Sequence, residues 1–175
     1  MAGIGIFYAT QLNQDPFARK SQISFAGAYT QRKQWILSQS GLLSTGNDRH
    51  IIQWNLGWRN FFDRYYGLET EVAPEQFIPY RYETLNLQAT LLTRIEQSSH
   101  FVGPVLRLNS MYDVDWKADP ESRHWQRPPG YQGHSTVGLG ARWVHDTRLQ
   151  LINPRQGHWY EFAYRMHPRW SSLNP

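Results

Sequence analysis

The residues that could do acid–base or nucleophilic chemistry in this chain are seven histidines, at 50, 100, 124, 134, 145, 158 and 167, with a few serines and carboxylates. Ser110 or Ser135 with His134, His145 or His158 and Asp146 or Glu161 has the make-up of a hydrolase triad, in which the imidazole takes the serine proton and the carboxylate orients the ring. The spacing argues against it. No nucleophile elbow surrounds either serine, and His145 directly precedes Asp146, so on a strand the two side chains point to opposite faces. The histidines show neither HxH nor HExxH spacing, and Asp115 to Glu121 lacks the glycine and ligand pattern of a calcium loop. Without cysteine, a disulfide framework or a thiolate metal site is impossible. The expectation is a protein that is not an enzyme and carries no metal and no cofactor.

The remaining polar residues fall at every second position of apolar segments. Gln53, Asn55, Arg59, Asn86, Gln88, Arg107, Arg142, Asp146, Glu161 and Arg165 alternate with aliphatic and aromatic residues, the period of a β-strand with two unlike faces. The segment from Ser135 to Met166 is the clearest case. Val137, Leu139, Ala141 and Trp143 share one side of the pleat, and Gly138, Gly140, Arg142 and Asp146 the other. In its second half Tyr160, Phe162, Tyr164 and Met166 alternate with Glu161, Ala163 and Arg165. A face with charges at alternate places must pair them if it is buried, and an apolar face turned outward needs lipid. The polar set is therefore placed in the lumen of a barrel. In a narrow barrel it forms structural plugs, whereas in a wider one it lines water and sets ion preference. Trp54, Trp58, Trp143, Tyr160, Phe162 and Tyr164 are placed on the lipid-facing side and its aromatic girdle.

Composition fits this reading. Aromatics make up 15% of 175 residues, with eight Trp and ten Tyr, residues that gather at membrane–water interfaces. Mean hydropathy of −0.64 has the value of a soluble protein, but a barrel turns only alternate residues to lipid. A soluble carbohydrate-binding β-sandwich shares the alternation and stands as the alternative. The net charge of +4 comes without a Lys/Arg run, which speaks against nucleic acid as a partner. No apolar segment is long enough for a membrane-spanning helix, so a barrel is the only way this chain could cross a bilayer. Met1-Ala2 leads straight into Gly3-Ile4 without a signal peptide, which is read as a start on a mature or excised domain.

Taken in order, the chain predicts strands over 3–12, 21–31, 34–44, about 52–62, 80–97 and 101–116, followed by the hairpin of 135–166. Long loops are predicted over 63–79 and 117–133, with a turn at Asn13, Asp15 and Pro16 and another at Thr45-Gly46-Asn47-Asp48. Short turns on one side and long loops on the other suit a bacterial outer-membrane barrel. The expected architecture is all-β: a single domain over 1–175, an antiparallel up-and-down transmembrane β-barrel of about eight strands.

The hairpin also carries a resemblance. Gly138-Leu139-Gly140, then Asp146-Thr147-Arg148, Asn153-Pro154-Arg155 and Gly157, followed by an aromatic strand, resembles the D-T-R…P-x-x-G hairpin of the bacterial surface antigen family. That is the barrel domain of the Omp85 superfamily, which includes the outer-membrane assembly factors BamA and TamA. Gly3-Ile4-Gly5-Ile6, Tyr29 to Gln34 and Phe62 to Leu68 agree with it in order along most of the chain. The resemblance implies the first part of a larger barrel and a parent function in outer-membrane protein assembly or translocation, which this part does not perform alone. It also implies turn-shaping roles for Asp146, Thr147, Arg148, Pro154 and Gly157. Expected partners are membrane lipid, lipopolysaccharide or detergent, other outer-membrane proteins, and a second copy joined through the open barrel edges. The alternative within the membrane is a passive pore or structural barrel.

Overall fold

A computed structural model describes residues 2–14, 18–68, 76–123, 126–148 and 155–168. Eight strands follow one another as β1 (Ala2–Thr10), β2 (Ser21–Tyr29), β3 (Trp35–Thr45), β4 (His50–Tyr65), β5 (Ile78–Arg94), β6 (His100–Trp116), β7 (His134–Asp146) and β8 (Trp159–Met166). Each pairs antiparallel with the next in a single sheet, β1 to β8 in sequence order. Apart from a short 3-10 turn at Pro120–Arg123 there is no helix among the described residues, and none long and apolar enough to cross a membrane. The up-and-down all-β architecture is as the alternation predicts. The sheet is open, with β1 and β8 at its edges.

Strand bounds differ from the sequence reading by a few residues. The loop expected over 63–79 is shorter, because β4 and β5 continue their ladder through Asp63↔Tyr80 to Tyr65↔Ile78. Aromatic contacts accompany this extension; the Tyr65 and Tyr80 rings lie 5.6 and 4.5 Å from the ring of Trp116. Long connections also occur at both ends of the sheet. The end that carries the β4–β5 and β6–β7 loops is here called the far end; the near end holds two tight turns and also the connections from Thr10 to Ser21 and from Asp146 to Trp159. The expected turn residues Asp15 and Pro16, and Pro154 of the hairpin motif, lie outside the described residues.

Register sorts the strand residues onto two faces. One carries Ile52↔Leu91, Leu56↔Leu87, Leu106↔Leu139 and Trp143↔Phe162; the other carries Gln53↔Thr90, Asn55↔Gln88, Asn86↔Asn109 and Arg142↔Ala163. The sheet curls toward the second, inner face. There Ile51, Leu92, Phe101 and Val144 form a buried apolar cluster at the near end, with Phe101 only 1% exposed. Gly103 sits on this face where the backbone of β5 passes so close that a Cβ would meet the Leu91 carbonyl. On the first, outer face large apolar side chains stand exposed, from Ile4 at 75% to Phe162 at 66% and Leu139 at 45%.

Candidate functional site

The inner face has three tiers. At the near end the chain between β1 and β2 folds over the apolar cluster and delivers Arg19. Its Nη2 donates to Asp146 Oδ2 at 2.9 Å and its backbone N–H to Asp48 Oδ1 at 2.9 Å. Asp48 also accepts from Ser44 Oγ at 2.5 Å and lies 3.7 Å from Arg94 Nη2. Asp146, its side chain 1% exposed, takes Arg148 in a bidentate grip, with Nε 2.8 Å from Oδ1 and Nη2 3.0 Å from Oδ2. The guanidinium carbons of Arg19 and Arg94 stand 4.9 and 5.2 Å from the centroid of Phe101, so two cations lie over one buried ring. Asn13 fastens the loop, donating to the Ser44 carbonyl at 3.3 Å and accepting from Asn47 N–H at 3.0 Å. Burial pulls the Arg19 guanidinium below its usual value, against the opposing pull of Asp146 and Asp48. The hydrogen bonds to Asp146 hold Arg148 above its own. With every carboxylate paired, the burial of these charges is compensated.

The middle tier is polar. Arg142 on β7 donates through Nη1 to Gln53 Oε1 on β4 at 2.8 Å and through Nη2 to Glu161 Oε2 on β8 at 2.7 Å. A direct bond between strands three places apart in the sheet requires strong curl. Arg107 donates to Asn109 at 3.3 Å, and the Ser24 and Ser40 hydroxyls meet at 2.7 Å. Asn55, Arg59 and Arg165 occupy the same face by register, with no side-chain hydrogen bond or ion pair among the described residues. Of the expected lumen set, then, the structure brings together Gln53, Arg142 and Glu161.

At the far end the inner face ends in aromatic rings. Tyr82, Tyr80, Trp116 and Tyr131 stack in succession, with centroids 5.4, 4.5 and 4.9 Å apart and planes within 19°. Trp116 Nε1 donates to the Tyr131 carbonyl at 2.8 Å, and Tyr65 meets Trp116 edge-on.

The outer face carries the aromatic residues expected there. Trp58 closes the band at the far end, packed edge-on against Trp35 at 4.4 Å and donating to Glu83 Oε2 at 3.0 Å. Trp54 lies inside the band rather than at its rim, laid over Gly41 with its Nε1 on Gln39 Oε1 at 2.7 Å. At the near rim Trp143 stacks on His100, and Tyr160 on His145. Phe162 and Tyr164 stand exposed on the edge strand β8.

Around the described hairpin residues, hydrogen bonds join the two ends of the connection between β7 and β8. Thr147 N–H donates to the His158 carbonyl at 3.0 Å and its Oγ1 accepts from His158 N–H at 2.8 Å. Gly157, at φ 101°, leaves no room for a Cβ against the Thr147 carbonyl and the Arg148 backbone. Asp146 accepts from the Arg148 amide at 3.1 Å.

Sequence reasoning missed Arg19, Asp48, Arg94 and Asn13. Asp48 was legible only as a turn residue, and nothing in the spacing ties Arg19 to a carboxylate 127 positions away. The hydrolase arrangement does not assemble. Ser110 and Ser135 bond to each other at 2.6 Å on the outer face, while Asp146 and Glu161 lie on the inner face. No family model, curated protein or solved structure matches the chain.

Proposed function

We propose that this protein is an integral β-barrel of the bacterial outer membrane whose lumen is filled by side chains. One observation carries the reading. Between His50 and Asn60 on β4, Thr93 and Glu83 on β5, His100 and Ser110 on β6, and His145 and Ser135 on β7, every outer-face residue is apolar. Ten residue steps at about 3.3 Å, tilted by about 40°, span about 25 Å, the height of the apolar band of a membrane barrel. Between β5 and β6 the band shifts by a residue pair, Thr93 facing Val102 rather than His100, which suits strands that cross it at a tilt. The Trp, Tyr and His side chains at both rims suit the water interface.

Closure of β1 on β8 completes the barrel in this reading. The two edges run antiparallel, and both present apolar side chains outward, Ile4, Ile6 and Tyr8 against Tyr160, Phe162 and Tyr164. The Arg142–Gln53 and Arg19–Asp146 bonds favour closure within one chain, since they need the narrow interior of an eight-stranded barrel and would not span a larger one built from two copies. The near-end cluster favours a plugged barrel over a passive pore. The likeness of the hairpin to the surface antigen family supports a role in outer-membrane protein assembly alongside partner proteins, with this chain inactive alone.

The test is refolding from urea into detergent, followed by gel electrophoresis with and without heating. A heat-modifiable band, β-sheet circular dichroism and the mass of one chain are expected. A monodisperse, folded protein in plain buffer would replace the membrane reading with the soluble sugar-binding sheet, and a two-chain particle would replace closure with edge-to-edge pairing.

A further inference from the structure

His100 on β6 and His145 on β7 are directly opposite each other, their ring centroids 4.4 Å apart. The Asp146 N–H bonds to the Ser99 carbonyl, the residues one step out on either side, so the two histidines occupy a non-hydrogen-bonded site of the ladder. That is the kind of cross-strand pair in which side chains approach most closely. Both Nδ1 atoms are buried and lack a hydrogen-bond partner. A buried ring nitrogen without a partner is costly, and here two belong to directly opposed residues. Trp143 on one flank and Tyr160 on the other stack against the pair and limit where the imidazoles can turn.

We propose that His100 and His145 form a two-imidazole binding site for a borderline divalent transition-metal ion at the near rim of the outer face. Imidazole nitrogens bind such ions at about 2.0–2.1 Å, and affinity rises toward Cu2+ with Ni2+ and Zn2+ below it. Among the described residues no group of three His, Cys, Asp or Glu side chains is placed to hold a metal, so these two imidazoles are the protein ligands of the site. The pair needs only the β6–β7 ladder and is independent of the membrane reading.

The experiment is titration of the folded protein with Cu2+ alone, followed by electron paramagnetic resonance. One saturable equivalent with the hyperfine pattern of two nitrogens is expected. His100→Ala and His145→Ala each abolish that signal, whereas His50→Ala and His158→Ala keep it; circular dichroism establishes that each variant is folded. His100→Gln and His145→Gln, which keep a polar atom at the position, serve where the alanine variants do not fold. Absence of saturable uptake, or uptake that survives in a folded His145 variant, overturns the proposal.

Discussion

The two ends of the inner face are built by opposite means. The near end joins parts of the chain far apart in sequence: Arg19 before β2, Asp48 before β4, Arg94 at the end of β5 and Asp146 at the end of β7 converge over Phe101. The far end is closed by rings from β4, β5, β6 and the chain just before β7, held mostly by stacking. Buried charges must find their partners in one arrangement, so they fix which strands meet and how tightly the sheet curls. Stacked aromatics tolerate small shifts at modest cost. The near end is therefore expected to set the curvature of the sheet, and the far end to follow it.

The sharpest way to break this comparison is Phe101→Ala. It removes a buried ring and the seat of two guanidinium groups, and is expected to cost about 4–5 kcal/mol in urea unfolding of the folded protein. Asp146→Asn leaves Arg19 and Arg148 without their shared carboxylate and should cost about 3 kcal/mol. A loss below about 1 kcal/mol would mean the cluster does not govern the near end. At the other end Trp116→Ala, which removes a ring from the middle of the stack, is expected to cost about 2 kcal/mol. A larger loss there than for Phe101→Ala would invert the comparison.

The smallest effect belongs to the exposed Asp119–Arg127 pair of the far-end loop, 2.6 Å apart. Its hydrogen bond from Arg127 holds the Asp119 carboxyl below its usual value. A lowered folded value means that the contribution of the pair is complete above the ordinary carboxylate range and is lost as pH falls through the folded value. Asp119→Asn should abolish that acid-side change and lower the unfolding midpoint at neutral pH only by the same small amount, as expected of an exposed pair. A fall in the neutral midpoint larger than the acid-side change would show that the loop helps hold the far end.

The amino-acid sequence by itself determined the strands and their two faces. Side chains alternate sides along a strand, so Gln53 had to lie opposite Trp54 and Arg142 opposite Trp143, while the register of β4 to β8 puts Gln53, Arg142 and Glu161 on one shared face. The grip of Asp146 on the Arg148 amide two residues on is local, whereas Thr147 meets His158 eleven residues away. The full reach of β4 and β5 was not legible, since Arg64 and Arg81 put charge on the outer face while the ladder continues through them. Only the tertiary structure decided which distant residues meet. The contacts of Arg19 with Asp146, of Arg142 with Gln53 and of His100 with His145 depend on register and curl, which arise from the whole sheet and leave no mark in local spacing.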